Sequence, residues 1–189
     1  MKSEMSELTK RLAKVIVPLR KKEQLEAIKA AEAHVAKELS DHHRTLGAEL
    51  RIEKPSDPAK IPIRMIGVMI ADYGYKRNYE ILVTEKGKIV SVVDLRGAQP
   101  AYTNEEIEEA RRIAEQDERV TRFARMKGSF ASEFSPDRAP DNARRIGLRY
   151  AVVEKGRARA VLARGIVDFS VRRLVEFEET SGEPQLRRQ

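Results

Sequence analysis

Residues 82–91 read Leu82-Val83-Thr84-Glu85-Lys86-Gly87-Lys88-Ile89-Val90-Ser91. Tyr79, Ile81 and Val83 recur at a period of two ahead of Glu85-Lys86-Gly87, and an apolar stretch, residues 89–95, follows it. Glycine tolerates the positive φ of a tight turn, so this stretch predicts a β-hairpin. A second Glu-Lys-Gly, Glu154-Lys155-Gly156, lies between two further strand-like stretches. Each turn follows a helical segment, so the chain states one pattern twice: a helix of about five turns, then antiparallel strands ending in such a hairpin. A duplicated helix-plus-sheet unit predicts an α+β fold, because each helix must cover one face of its own sheet.

Working outward, Leu25, Ile28, Ala31, Val35 and Leu39 recur at three and four residues, which predicts an amphipathic helix over residues 21–39. Lys22, Glu26, Lys29 and Lys37 then face water, and Pro18 ends any helix before it. Ala48, Leu50 and Ile52 alternate with charged residues as in a half-buried strand, and Pro55, Ser56, Asp57 and Pro58 make a loop. Residues 61–71 are apolar on both faces and predict a central strand, with a turn at Tyr73, Gly74 and Tyr75.

The second pass opens after a linker of Gly97, Pro100 and Thr103. Thr103-Asn104-Glu105-Glu106 has the form of a capping box, in which the N-cap hydroxyl and the carboxylate three residues on satisfy each other's backbone donors. Ile107, Ala110, Ile113 and Ala114 supply the apolar stripe, and Val120 and Phe123 belong to a second short helix. Residues 128–142, rich in Ser, Pro, Asp and Gly, predict a long loop or an irregular edge strand. Strands are expected over residues 146–153, 158–171 (bent or bulged near Gly165) and 174–177. The resulting division is a basic arm over residues 1–17, helix-plus-sheet domains over 18–97 and 98–179, and a polar tail over 180–189.

The chain has 189 residues, 41% of them hydrophobic, no Trp and no Cys. Aliphatic side chains therefore fill the core, and disulfides, thiolate metal sites and cysteine nucleophiles are excluded. Lys10, Arg11 and Lys14 interrupt the apolar residues of the N-terminal stretch, and no segment approaches the roughly 20 apolar residues that span a bilayer. These features predict a cytoplasmic location. The net charge of +7 is concentrated at the start, where Lys2, Lys10, Arg11, Lys14, Arg20, Lys21 and Lys22 stand against only Glu4 and Glu7 in the first 22 residues. Such an arm suits nucleic acid, an anionic surface or an acidic partner protein, and a solvated tail has the same composition.

Pro18-Leu19 before a helix, the hairpin of residues 82–91, Gly97-Ala98-Gln99-Pro100, and Thr103-Asn104-Glu105-Glu106-Ile107 leading to Asp117-Glu118-Arg119-Val120 together resemble the two small N-terminal domains of copper amine oxidases. The resemblance runs from about Pro18 to Glu178. It implies two tandem cystatin-like units, each a helix laid across a curled antiparallel sheet. It does not bring the chemistry, which in that family resides in a large C-terminal domain carrying copper and a tyrosine-derived quinone in an Asn-Tyr-Asp/Glu-Tyr motif. Here Asn78-Tyr79-Glu80 is followed by Ile81. The family's domains flank its catalytic dimer, which implies a partner-facing role. The partner would be a separately encoded amine oxidase-like catalytic subunit or a second copy.

Local catalytic signals are sparse. His42 and His43 with Asp41 could chelate a metal, although polar side chains there also suit a helix C-terminus; His34 is the third histidine. Ser129, Ser132 and Ser135 have no histidine or glycine elbow beside them. Asp137/Asp141 and Glu178/Glu179 read as solvated carboxylates, and Gly147, Gly156 and Gly165 are isolated. No catalytic residue, metal site or cofactor is therefore expected, and the leading expectation is a non-catalytic interaction module. Its contact surface would include Lys10, Arg11, Lys14, Arg20, Lys21, Lys22, Arg157 and Arg159. One alternative is a small ligand-binding protein or enzyme with a pocket between helix and sheet, lined by Tyr73, Tyr75, Tyr79 and Tyr150. The other is a nucleic-acid binder using the arm and the arginine-rich second domain, although no motif with interleaved aromatics accompanies the charge.

Overall fold

A computed structural model of the chain describes residues 13, 15–53, 60, 62–95, 98–136, 141–154 and 157–180, with side chains for all but 153, 154 and 157–159. These residues hold three helices and two four-stranded antiparallel sheets, an α+β fold. The contacts divide the chain into two compact units, Met1–Pro100 and Ala101–Gln189.

The first unit contains α1 (Lys21–Val35) followed by β1 (His43–Glu53), β2 (Ile63–Asp72), β3 (Arg77–Thr84) and β4 (Ile89–Asp94), in the spatial order β1-β2-β3-β4. The core lies between α1 and the sheet: Ala27, Ala31 and Val35 of the helix meet Ile66, Val68, Ile70, Tyr79, Ile81 and Val83. The helix turns a narrower face inward than the periodicity predicts. Leu25, expected on the apolar stripe, is 50% exposed, because the alanines at four-residue spacing bring the helix backbone close to the sheet. Glu85-Lys86-Gly87 does close the β3–β4 hairpin, with Gly87 at φ 78°. The Tyr73-Gly74-Tyr75 turn joins β2 to β3.

Asp72 organises that end of the sheet. Its carboxylate accepts from the Ser40 N–H at 2.8 Å, the Tyr75 N–H at 3.0 Å and the Ser40 hydroxyl, tying the segment after α1 to the turn after β2. Gly74 lies so close to Ser40 that a Cβ would come within 2.4 Å of its Oγ, so no larger residue fits there.

The second unit contains α2 (Asn104–Ala114), α3 (Glu118–Ala124) and the strands β5 (Ser129–Phe134), β6 (Arg145–Glu154), β7 (Arg157–Asp168) and β8 (Arg173–Glu179), ordered β5-β6-β7-β8. The predicted capping box forms: the Thr103 N–H donates to Glu106 Oε2 at 2.9 Å and the Glu106 N–H to Thr103 Oγ1 at 3.2 Å. Ala110, Ile113, Ala114, Val120 and Phe123 are buried, and so are Ile146, Leu148, Tyr150, Ala163 and Val167 of the central strands. Residues 129–134 form an edge strand, and the ladder shifts register between Ile166 and Val167, next to the expected bend at Gly165.

One expectation changes. The two Glu-Lys-Gly turns are not equivalent, because Glu85-Lys86-Gly87 joins the third and fourth strands of its sheet while residues 154–156 lie between the second and third strands of theirs. Three-residue turn signatures record that the chain reverses; they carry no count of which hairpin they close.

Candidate functional site

The ionic groups that fix the helices have their chemistry already engaged. Arg144, just ahead of β6, forks onto Glu106 of α2, with Nε donating to Oε1 at 2.5 Å and Nη2 to Oε2 at 2.8 Å. Both side chains are almost fully buried, at 3% and 0% exposure. Arg144 Nη2 also donates to the Ala101 carbonyl at 3.1 Å, and the guanidinium stacks 4.9 Å from the Tyr102 ring centre. On β7, Asp168 accepts from the Ser170 N–H at 2.8 Å and from Arg145 Nε at 2.8 Å. Burial pushes its pKa up, but these donors together outweigh it and hold the carboxyl below its ordinary value of 3.8.

The four tyrosines of the expected pocket belong to two different units. Tyr79 is part of the core beneath α1, and Tyr73 is buried with its ring centre 4.9 Å from that of His42. Tyr75 is 59% exposed, and Tyr150 belongs to the sheet of the other unit. The Tyr150 hydroxyl is buried without a hydrogen-bond partner, and burial pushes its pKa up to about 12. Between α1 and its sheet, aliphatic side chains fill the space that a ligand would need.

Of the basic residues, Lys10, Arg11 and Lys14 lie outside the described residues, as do the side chains of Arg157 and Arg159. Arg20, Lys21 and Lys22 are exposed; Arg20 pairs with Glu23 at 3.5 Å and Lys22 with Glu26 at 3.8 Å. Asp41, His42 and His43 form no metal cluster, since among the described residues no group of three or more His, Cys, Asp or Glu is placed to hold an ion. His43 Nδ1 instead bonds the Ser40 carbonyl oxygen at 2.6 Å.

Among the described residues, two surfaces carry chemistry the fold does not consume. One is the edge strand β4, where Val90, Val92 and Val93 are 51%, 37% and 45% exposed and no charge interrupts the run between Lys88 and Asp94. The opposite edge, β1, carries Arg44, Glu49, Arg51 and Glu53 and a register shift at Gly47. Charges of that kind deter strand addition; each edge also has one extra residue, in β4 at Val90, so charge is what separates the two. The other surface is the helix-free face of the second sheet. There a cleft of about 640 Å³ is lined by Phe134, Pro136, Arg164, Ile166, Glu176 and Glu178. Sequence periodicity marked neither surface, because both depend on strand order and register.

No family model matches the chain, and no curated protein does. Among solved structures it is similar to the copper-containing benzylamine oxidase of Hansenula polymorpha, at a TM-score of 0.57 and 11% identity. The alignment covers 89% of this chain and 30% of that one, so the chain spans less than a third of the oxidase. At this identity the likeness is one of fold, and it agrees with the resemblance carried by the sequence motifs. No helix among the described residues is long and apolar enough to cross a membrane.

Proposed function

We propose that the chain is a non-catalytic interaction module built of two tandem cystatin-like units, with β4 as its contact edge. The carrying observation is the exposed apolar run of β4, free of charge between Lys88 and Asp94, where β1 carries four charged residues. An added strand would complete hydrogen bonds on the edge and cover Val92 and Val93. The run is bracketed by Lys88 at one end and Asp94 at the other, so a second copy lying antiparallel brings each lysine toward the other copy's aspartate. That charge arrangement favours self-association. The resemblance to amine oxidase N-terminal domains supports a separately encoded catalytic chain as the other partner.

Sedimentation of the full chain tests this. A concentration-dependent dimer below about 100 µM, abolished by Val93→Lys, is the expected result. A monomer that co-purifies stoichiometrically with an amine oxidase-like chain, and loses it on the same substitution, would replace the partner and keep the module. A monomer with no such companion, or one that releases peroxide from amines, would overturn the reading.

A further inference from the structure

Arg149 on β6 and Arg164 on β7 stand directly opposite each other in the ladder. Like charges so placed repel, and among the described residues neither arginine closes an ion pair. Arg149 is held by packing instead. Its guanidinium lies 4.5 Å from the centre of the Phe134 ring, and its buried Nε has no acceptor. Phe134 is itself fixed across Gly147, where a Cβ would come within 2.3 Å of the ring, so the glycine is the seat on which the aromatic lies.

The register gives the surroundings. Phe134, Gly147, Ile166 and Glu176 form one row across the four strands, and Ser132, Arg149, Arg164 and Glu178 form the next, on the same face. Guanidinium groups thus occupy the two central strands, carboxylates occupy the edge strand β8, and Ile166 and Phe134 provide apolar surface between and beside them. Arg164 and Glu178 face each other without forming an ion pair. The cleft of about 640 Å³ over this face lies within the usual range of small-molecule sites.

We propose that this cleft binds a small zwitterion with an apolar body, of the free amino acid or short-peptide class. Its carboxylate meets Arg164, its ammonium meets Glu176 and Glu178, and its apolar portion covers Ile166 against Phe134, the ring that Arg149 backs from beside the cleft. A simple anion would be drawn by the arginine and repelled by the carboxylates, and a simple cation the reverse. Only a ligand bearing both charges satisfies the arginine and the carboxylates together. This site lies on the opposite face of the sheet from its helices, goes beyond the interaction-module reading and stands independently of it.

Titration of the full chain with leucyl-leucine, acetate or methylammonium, followed through the arginine Nε–H signals in two-dimensional nitrogen–proton spectra, tests the assignment. The dipeptide should move the Arg149 signal saturably, and Arg164→Ala and Glu176→Gln should each weaken it about tenfold. Acetate should bind about tenfold more weakly than the dipeptide and be strengthened, not weakened, by Glu176→Gln. Both substituted side chains are exposed, and unchanged backbone amide signals would verify folding. The proposal falls if either single-charge probe binds as tightly as the dipeptide. It falls equally if no probe gives saturation, or if Glu176→Gln leaves dipeptide affinity unchanged.

Discussion

The two units fasten their helices to their sheets with the same three parts, set at different depths. In each, a glutamate at the third helical position accepts the N–H of the N-cap residue: Glu23 from Arg20 at 2.6 Å, and Glu106 from Thr103 at 2.9 Å. In each, an arginine at the start of the central strand reaches that glutamate and also donates to a carbonyl ahead of the helix: Arg64 to Val17 at 3.0 Å, and Arg144 to Ala101 at 3.1 Å. The difference lies in closure. Arg144 grips Glu106 with two short bonds in the dark, whereas Arg64 stands 3.6 Å from Glu23 and shares itself with the exposed Glu85. Water can stand in for a lost partner at the first anchor; at the second, a lone charge is stranded.

The largest test of that contrast is Glu106→Gln or Arg144→Ala, expected to cost about 3–5 kcal/mol by leaving one buried charge unpaired. Hydrogen exchange resolved along the chain should show the loss in α2 and β6 and leave α1 unmoved. Equal loosening of both units would break the comparison.

Alkaline pH should find the same unit. Tyr150 has a folded pKa of about 12 against an ordinary 10.0, so the folded state holds the proton more tightly. Its contribution is intact below pH 10 and is lost as pH rises from 10 toward 12, at about 1.4 kcal/mol per pH unit. Denaturant midpoints across that range, compared with Tyr150→Phe, check the slope. The variant should be flatter and no less stable, since it removes a hydroxyl without a partner.

Arg64→Ala is expected to cost less than Arg144→Ala: the Arg64 side chain is itself only 9% exposed, but the carboxylates it leaves, Glu23 and Glu85, are 17% and 52% exposed and can be hydrated. A loss rivalling that of Arg144→Ala would show the first anchor to be as closed as the second. The smallest effect concerns acid. Asp168 is held below 3.8, so its contribution is full above that pH and fades as pH falls through the lowered folded value. Asp168→Asn should flatten the acid limb of the stability curve of the second unit.

Much of this architecture was legible in the residues. The shift of period from 3.6 to two marked the helices and the antiparallel strands that follow them, and Thr103 with Glu106 announced its capping box. The matching device in the first unit was hidden, because Arg20 occupies the N-cap and its side chain cannot accept a hydrogen bond. Leu25 misled because an apolar period shows that a face exists, while the closeness of approach selects the alanines. Arg144 could not be matched to Glu106, since 38 residues separate them and only the placed strand joins them. The Arg149–Phe134–Arg164 surface was invisible for the same reason: cross-strand neighbours are assigned by register, which a one-residue slip would send to the opposite face.

The 38-residue span between Glu106 and Arg144 also bears on the order of folding. Helix α2 on its own can complete its capping box with water around the carboxylate, but it cannot enter a dry core until the distant arginine arrives with the strand. Closing so long a loop before the contact is made is slow, and the charge must stay hydrated meanwhile. The docking of α2 should therefore be a late step, made in one motion with β6. A substitution at Arg144 would then leave the folding rate nearly untouched and appear as faster unfolding.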